Sequence, residues 1–487
     1  MRVQCVFAPS SGDARLAELS EELTPPLGIM YLAASIREAF PEVSLRITDG
    51  LLRGYAATAA EINDFRPDLL LVSFFTPEAP GAYALVKEFK ERYPQSLAVM
   101  GGIHATALPE EALERCAADL VVLGEGEETV RRIVRAYTRG EPFTGIPGIC
   151  YRSAAGTVRT PPAAYIRDID TIPFPARDLV DLSEYKGWFI SRQTPETGMF
   201  WSRGCPFNCT FCSNLVWKTS LPALRLRSAG NIADEMEQLK LDFGIREVFD
   251  HSDEFNNDIE HAKEVCRELI RRKLGMTWKV QLRAHPLPEE LVRLMKQAGC
   301  WYVHLGIESA NEETLRGIRK KITLEQVRRA CALLKKYEIR IFGLFMLFNV
   351  WEDEGGLCFE DLEATRKTLA FAGQLVNERL LDYISWTITT PYPGSRLYDI
   401  ALRHGLIRPE LLGNWDRWLK VDSFIMDLPG MHRSEQARLY TSGSWLRARC
   451  YLRSRGFGLK DIGYMARKAM KVVQIQTSSL LPPRSRQ

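Results

Sequence analysis

The chain has 487 residues, a length that suggests two or three domains, and its 46% content of hydrophobic residues is enough to fill their cores. The 64 Lys and Arg nearly balance the 61 Asp and Glu, so the composition does not indicate a nucleic-acid partner. The N-terminal stretch MRVQCVFAPS carries one arginine and no sustained apolar core, which predicts a first strand and not a signal peptide. No apolar run of the sequence approaches the ~20 residues of a membrane span. We therefore expect a cytoplasmic protein without a transmembrane segment.

Short β-rich runs alternate with helical stretches from residue 1 to about residue 140. The runs are RVQCVFAP, VSLRITD, DLLLVSF, SLAVMGG and ADLVVLG. Between them lie stretches such as GIMYLAASIREAF and PGAYALVKEFKERY, in which apolar residues recur at i, i+3 and i+4. This alternation predicts an α/β domain with a doubly wound parallel sheet, Rossmann-like, whose ligand lies beyond the carboxyl ends of the strands.

Four loops are expected at that edge of the sheet, and they carry the candidate ligand-binding residues. These are Pro26, Leu27, Gly28, Ser73, Phe75, Gly101, Gly102, His104, Gly124, Glu125 and Gly126. Glycines allow the backbone to approach a bulky flat ligand closely, although each one alone is also typical of a tight turn. A dinucleotide is disfavoured because no G-x-G-x-x-G follows the first strand.

The segments PPLGIMYLAASIRE, GGIHATALPEEAL and LGEGEET resemble the cobalamin-binding domain of cobalamin-dependent radical SAM enzymes. The resemblance implies that these loops bind cobalamin. The D-x-H-x-x-G element, by which other corrinoid proteins supply a histidine to cobalt, is missing from the loops. His104 is the only histidine on this predicted edge, and it is either a cobalt ligand or a turn residue bonded to backbone. Without a histidine ligand, the lower face of cobalamin carries water or nothing.

A second α/β region follows a predicted connector over residues 141–195, where GIPG, TPP and TIPFP indicate irregular structure. Six strand and helix units over residues 196–395 predict a partial TIM-type barrel with its site at the carboxyl-terminal edge. Residues 396–487 are predicted to form a helical domain that ends in a disordered tail. Trp415 and Trp418 in that region either close the mouth of the barrel or pack beneath a helix.

The cysteines Cys205, Cys209 and Cys212 follow the first barrel strand as Cys-x3-Cys-x2-Cys. Three thiolates on a short loop hold three irons of a cubane cluster and leave the fourth iron open for a substrate. Zinc is the alternative, but a structural zinc site requires four protein ligands, and the nearest histidine in sequence is His251. The other eight of the eleven cysteines are scattered singly and are predicted to be ordinary buried thiols.

This cysteine motif resembles the radical SAM superfamily, in which three cysteines bind a 4Fe-4S cluster and S-adenosylmethionine (SAM) chelates the fourth iron. The resemblance implies further cofactor-binding residues on the loop and at the strand ends. These are Phe211, Asp253, Glu254, Arg283, Glu308 and Ser309. By this resemblance, we expect the Phe211 backbone to lie against adenine, Arg283 to meet the SAM carboxylate and Glu308 to accept from the ribose hydroxyls. The alternative for Arg283 and Glu308 is a salt bridge inside the barrel.

Two turns of the barrel bear on the family. TPYPGS after the sixth strand resembles the T-P-x-P-G-T turn of cobalamin-dependent members, whereas LFNVWEDEGG replaces the glycine and proline turn that normally follows the fifth strand. The resemblance implies a methyltransferase that acts on an unactivated carbon of a small molecule, such as a natural product or lipid. The alternatives are a radical cyclase, rearrangement enzyme or oxidase without methyl transfer, and a non-catalytic corrinoid and iron-sulfur sensor. We expect a monomer that receives electrons from a donor such as flavodoxin or ferredoxin.

Overall fold

The structure is a computed structural model that describes residues 1–10, 22–185, 187–188, 190–218, 222–419 and 424–455. Its strands are β1 Arg2–Phe7, β2 Glu22–Leu23, β3 Ser44–Asp49, β4 Leu69–Ser73, β5 Leu97–Gly101, β6 Leu120–Val122, β7 Ile149–Ser153, β8 Gly156–Arg159, β9 Gly187–Trp188, β10 Glu196–Met199, β11 Ser202–Arg203, β12 Arg225–Leu226, β13 Glu247–Asp250, β14 Thr277–Arg283, β15 Cys300–Glu308, β16 Arg340–Leu347, β17 Val350–Asp353, β18 Gly356–Phe359 and β19 Tyr383–Ile388. Its helices are α1 Leu27–Ala39, α2 Gly50–Arg53, α3 Tyr55–Phe65, α4 Ala79–Arg92, α5 Ile103–Ala107, α6 Pro109–Arg115, α7 Glu127–Arg139, α8 Ala229–Phe243, α9 Ile259–Arg272, α10 Glu289–Gln297, α11 Glu312–Gly317, α12 Leu324–Lys336, α13 Leu362–Asn377, α14 Arg396–Arg403 and α15 Arg433–Arg455.

The first sheet has the strand order β3-β1-β4-β5-β6-β7-β8. Strands β3, β1, β4, β5 and β6 are parallel, which confirms the predicted doubly wound sheet. The strand order reverses beside β1, since β3 lies on one side of it and β4 on the other, and ligands of such sheets bind at this switch point. Strands β7 and β8 add an antiparallel edge from within residues 141–195, which the sequence analysis assigned to a connector. The division of the chain at residues 140 and 195 stays a prediction.

Successive residues of β1 enter two different hydrophobic cores, because side chains alternate across a strand. Val3, Cys5 and Phe7 pack with α1 and α7 on one face of the sheet. Val6 and Ala8 belong to a second core on the other face, and that core continues without a break into the shell of the barrel. The two α/β regions are therefore packed directly against each other.

The second sheet has the order β10-β13-β14-β15-β16-β19, and every neighbouring pair in it is parallel. Helices connect the successive strands, and several are capped as their sequences predict. The Ser228 hydroxyl accepts from the Asn231 N–H at the start of α8, and Thr323 and Gln326 form a capping box at the start of α12. The predicted partial barrel of six strands is confirmed, and the cysteine loop follows the carboxyl end of its first strand, β10.

After the barrel, α14 and α15 appear where the sequence predicts helices, and α15 packs against α13 and β19. Trp415 and Trp418 are both buried, as expected for aromatic side chains that pack beneath a helix. The rest of the predicted helical domain, from residue 456 onward, and the predicted disordered tail lie outside the described residues. Among the described residues, no helix combines the length and the apolar character that crossing a membrane requires.

Candidate functional site

A cavity of about 800 Å³ lies between the carboxyl-terminal edge of the first sheet and the cysteine loop of the barrel. Ten of the eleven residues predicted on the loops of the first sheet line it, as does Asp253 from the barrel. These are Pro26, Leu27, Gly28, Ser73, Phe75, Gly101, Gly102, Gly124, Glu125 and Gly126. The opposite wall comes from the barrel side and includes Phe200, Ser202, Arg203, Gly204, Asn214, Trp217, Lys218 and Arg225. The cavity therefore lies between the two regions, at the switch point of the sheet.

His104 is the predicted loop residue that does not line this cavity. Its side chain is buried, with its ring nitrogens 3.1 Å from Thr76 Oγ1 and 3.2 Å from the Tyr83 hydroxyl. The Trp415 ring packs edge-on against it, with ring centroids 5.0 Å apart. Burial lowers the pKa of His104 to about 3, so the ring is neutral. The interpretation of His104 as a cobalt ligand is corrected, because this imidazole belongs to the core.

Two side chains after β4 shape the cavity wall. Phe75 is 55% exposed and meets Phe7 edge to face at 5.2 Å, so its ring stands free at the cavity surface. Glu78, which the sequence analysis did not single out, is buried in the same wall, and its Oε2 atom has no hydrogen-bond partner. Burial raises the pKa of Glu78 to about 7. A buried acceptor of this kind fits a ligand with hydrogen-bond donors, and cobalamin carries amide groups around its corrin ring.

The cysteine loop begins and ends at β11 and β12, which pair with each other. Gly204 starts it with a φ of +85°, and a Cβ there would lie 2.0 Å from the Ala223 carbonyl oxygen, so only glycine fits. Thr210 anchors the middle of the loop, because its N–H donates to the Ile318 carbonyl and its own carbonyl accepts from the Leu397 N–H. The loop is thereby fixed to the turn after α11 and to the start of α14.

The three predicted cluster ligands lie on this loop as free thiols. Burial, and next the charge of Glu254, raise the pKa of Cys205 to about 12. Burial raises the pKa of Cys212 to about 11. Among the described residues, no group of three or more His, Cys, Asp or Glu side chains is arranged to hold a single metal ion. A cubane cluster binds each thiolate at a different iron, so its ligands need not meet at one point.

Beside the cysteine loop, a buried set of charged groups gathers at the ends of β13, β14 and β15. The Arg283 guanidinium lies 3.8 Å above the Phe207 ring, and its Nη1 is 3.5 Å from Glu254 Oε1. Neither terminal nitrogen of Arg283 makes a hydrogen bond, and Glu254 Oε2 has no hydrogen-bond partner either. Unpaired buried donors and acceptors imply a missing partner, and the carboxylate and amino group of SAM would supply one to each.

Lys320 is a member of this set that the sequence analysis missed. Its Nζ lies 3.0 Å from Glu308 Oε1 and 3.7 Å from Glu254 Oε1. Glu308 itself has a left-handed backbone with φ of +68°, an uncommon conformation that often marks functional positions. The signal in the sequence is weak, because Lys320 stands in a basic run, RKK, that is typical of a solvated surface. Glu308 is thus engaged in a salt bridge, the alternative that the sequence analysis left open.

The other three residues predicted to bind SAM, Asp253, Phe211 and Ser309, lie outside the buried charged set. Asp253 lines the cavity and accepts a hydrogen bond from Asn214 Nδ2, so it links the cavity to the cysteine loop. Phe211 is partly buried against the core. Ser309 donates to Glu360 and lies 3.3 Å from Thr368, so its hydroxyl is used within the fold.

Family models match both regions of the chain. The model of the Radical SAM superfamily matches residues 199–355, and the model of the B12 binding domain matches residues 16–134. The first match covers the cysteine loop and the barrel strands β13 to β16, and the second covers strands β3 to β6 of the first sheet. Fold and site together define a radical SAM protein with a cobalamin-binding domain.

An uncharacterized methyltransferase of Pyrococcus horikoshii is 31% identical over 430 residues, which cover 87% of this chain and 87% of that protein. The chain belongs to the cobalamin-dependent radical SAM methyltransferase family. The anaerobic magnesium-protoporphyrin IX monomethyl ester cyclase of Cereibacter sphaeroides is 27% identical, over 77% of this chain and 60% of that protein. The structure of the radical SAM methyltransferase TsrM from Kitasatospora setae, with tryptophan and a SAM analog bound, has a TM-score of 0.64. At 21% identity, over 84% of this chain and 77% of that chain, this likeness shows a shared fold.

The cofactors of such an enzyme are a 4Fe-4S cluster, SAM and cobalamin, and the residues present fit all three. The three free thiols lie on one loop that Thr210 holds in place, which fits the cluster. The terminal nitrogens of Arg283, which make no hydrogen bond, lie beside that loop and fit SAM. The cavity at the switch point has the place and the glycine-lined edge that a corrinoid requires.

Proposed function

We propose that the protein methylates an unactivated carbon of a small-molecule substrate, such as a natural-product intermediate or a lipid. The observation that supports this is the cavity shared by the two regions, which has the loops of the first sheet on one wall and the flanks of the cysteine loop on the other. Asp253, which lines this cavity, directly precedes Glu254 of the buried charged set in the chain, so cobalamin held there would lie close to the proposed SAM site. A methyl donor and a radical generator are then neighbours, as carbon methylation requires.

The residues of the chain would bind and orient these groups. When bound, the reduced cluster supplies the electron that cleaves SAM, and cobalamin supplies the methyl group. Cys205, Cys209 and Cys212 would hold the cluster. Arg283 would pair with the SAM carboxylate and Glu254 would accept from its amino group, since both have unused hydrogen-bonding atoms.

The adenosine part of SAM would lie between the Phe211 backbone and Glu308. Lys320 already lies beside both Glu308 and Glu254, and Glu308 would also accept a hydrogen bond from the ribose hydroxyls. Only 2% of the Arg283 side chain and 12% of the Glu254 side chain are exposed, so the site keeps water away from a reactive intermediate. The task of the protein is therefore positioning and exclusion of water.

The test uses anaerobically purified full-length protein, reconstituted with iron, sulfide and cobalamin, and reduced with dithionite. SAM carrying a deuterated methyl group is supplied with extracts that contain candidate small molecules, and products are followed by mass spectrometry. We expect 5'-deoxyadenosine and a product that carries the deuterated methyl group. The variants Cys205→Ala, Cys209→Ala and Cys212→Ala should lose both, whereas Cys358→Ser, a half-buried thiol outside the loop, should keep them.

Two other functions give different results. A radical cyclase, rearrangement enzyme or oxidase would form 5'-deoxyadenosine and an altered substrate without the label, and the cyclase relative of Cereibacter sphaeroides makes this the second candidate. A corrinoid and iron-sulfur sensor would bind both cofactors and cleave no SAM. Either result would end the methylation proposal.

The remaining expectations concern partners and location. Cleavage of SAM requires one electron at a time, so a flavodoxin or ferredoxin is the proposed donor. A monomer and a cytoplasmic location also stay proposals, and analytical ultracentrifugation of the reconstituted protein tests the first.

A further inference from the structure

The base of the cysteine loop carries two arginines that face each other. In the β11–β12 pair, Arg203 is directly opposite Arg225, and all three cysteines lie on the chain between them. Neighbouring like charges on paired strands repel unless other groups neutralise them. Their partners come from a different part of the molecule.

Both arginines bind acidic side chains at the end of the β6–α7 loop and the start of α7, beside the first sheet. Arg203 Nη2 donates to Glu127 Oε1 at 2.6 Å, and its Nη1 lies 3.4 Å from Glu125 Oε2. Arg225 Nη1 donates to Glu125 Oε2 at 2.9 Å and to the Ile166 carbonyl at 3.0 Å. We call these four side chains, Arg203, Arg225, Glu125 and Glu127, the interdomain bridge.

The interdomain bridge is enclosed and balanced in charge. Between 5% and 17% of each side chain is exposed, so solvent screens the pairs weakly. Burial alone would raise the pKa of Glu127, but the charge and hydrogen bond of Arg203 outweigh it and its pKa is lowered. The Arg203 guanidinium also lies over the Tyr31 ring at 5.2 Å. The carboxyl groups of Glu125 and Glu127 are therefore both held by the arginines.

All four members of the bridge line the cavity assigned to cobalamin. A ligand in the cavity thus touches groups whose charges hold the base of the cysteine loop in place. We propose that the interdomain bridge couples cobalamin binding in the cavity to the geometry of the cysteine loop, and so to SAM binding beside it. The inference rests on the proposed function, because it needs both cofactors to bind, and by linkage each must then change the affinity of the other equally.

The experiment measures the dissociation constant of SAM for cluster-reconstituted protein, with and without hydroxocobalamin, by the change in the EPR signal of the reduced cluster. In the parent protein, cobalamin should tighten SAM binding by at least about fivefold. In the E125Q/E127Q double variant, which keeps the shape but removes the charges, the ratio should fall below about twofold. Iron content should stay at the parent level in both.

The matched control is Glu128→Gln, which changes the adjacent residue but affects only an exposed pair with Arg132 inside α7. It should keep the parent ratio. A merely structural role would weaken SAM binding equally with and without cobalamin, so an unchanged ratio in the double variant overturns the inference. Equal SAM dissociation constants with and without hydroxocobalamin in the parent protein also overturn it.

If the double variant does not fold, the same ratio of SAM dissociation constants is measured in two single variants, Glu125→Gln and Arg225→Lys. Each of them changes one member of the interdomain bridge. A reduced ratio in either supports the coupling, and the parent ratio in both overturns it. Failure of the parent protein to bind cobalamin or to cleave SAM is a different result, because it removes the proposed function itself.

Discussion

Lys320 Nζ lies 3.0 Å from Glu308 Oε1, and only 6% of the lysine side chain and 11% of the glutamate side chain are exposed. The same nitrogen is 3.7 Å from Glu254 Oε1. Burial alone would lower the pKa of Lys320, but Glu308 and then Glu254 outweigh it, so the ammonium stays charged. One cation thus holds the carboxylates at the ends of β13 and β15 together, where SAM is proposed to bind.

Replacing Lys320 by Met should weaken SAM binding by about tenfold or more. The change leaves Glu254 and Glu308 buried with less positive charge between them, and breaking a buried pair costs about 2–5 kcal/mol. Equilibrium binding of SAM to the reconstituted cluster measures the effect. Lys321→Met, at the exposed neighbouring position, should bind SAM as the parent does. Parent-like affinity in Lys320→Met would show that the lysine does not organise the site.

Replacing Arg283 by Lys should raise the dissociation constant of SAM by about tenfold, and Arg283→Gln should raise it further. A lysine keeps the charge but lacks the planar fork that binds a carboxylate through two hydrogen bonds. The same substitution at the exposed Arg293, on α10, should have no effect. Equal affinities for Arg283→Lys and the parent protein would mean that Arg283 serves the internal ion pair with Glu254 alone.

His104 should make the protein less stable as the pH falls below 6.5. Its pKa is about 3 in the fold and about 6.5 when unfolded, so the unfolded state binds the proton first. The stabilisation is complete above pH 6.5 and is lost progressively down to about pH 3. Between pH 7 and pH 5 the parent should lose about 2 kcal/mol that His104→Gln does not lose.

Urea denaturation at the two pH values measures that difference, and His432→Gln, at an exposed histidine, is the control. The optical spectrum of bound cobalamin should be the same in His104→Gln and in the parent protein. A changed spectrum would restore His104 as a residue near cobalt.

The sequence was sufficient to predict elements whose pattern is local. The alternation of short apolar runs and helical stretches gave both parallel sheets, because buried parallel strands and amphipathic helices have distinct periods. The position of the cysteine loop followed from the same pattern, since a loop after a parallel strand must lie at the carboxyl-terminal edge. Strands β7 and β8 were missed because Gly156 and the short exposed runs around it resemble a connector.

Contacts between distant segments could not be predicted in this way. His104 is buried by Trp415, which approaches from the C-terminal region, so no local pattern shows that its ring is enclosed. Lys320 is charged and stands in a basic run, and only the ends of β13 and β15 make it part of the site. Glu125 was assigned to cofactor binding from its loop alone, whereas both arginines that bind it come from the far side of the cavity.

Glu78 supplies the last prediction, in which stability and cofactor binding change in opposite directions. Its pKa is about 7 in the fold against about 4.5 when unfolded, because its carboxyl is buried without a cation beside it. The folded state therefore holds a proton that the unfolded state has released, and stability falls as the pH rises from about 4.5 through 7. Glu78→Gln removes that loss and should stabilise the cobalamin-free protein by about 2–3 kcal/mol at pH 8, with little difference at pH 4.5.

The same variant should bind cobalamin about tenfold more weakly at pH 8, because an ionised acceptor for the corrin amides becomes a neutral one. Urea denaturation of the cobalamin-free protein and spectroscopic titration with hydroxocobalamin measure the two effects. Glu128→Gln, an exposed carboxyl on α7, should change neither. A stability difference that is equal at pH 4.5 and pH 8 would show that Glu78 does not titrate in the cavity wall, and unchanged cobalamin affinity would show that its free oxygen does not face the cofactor.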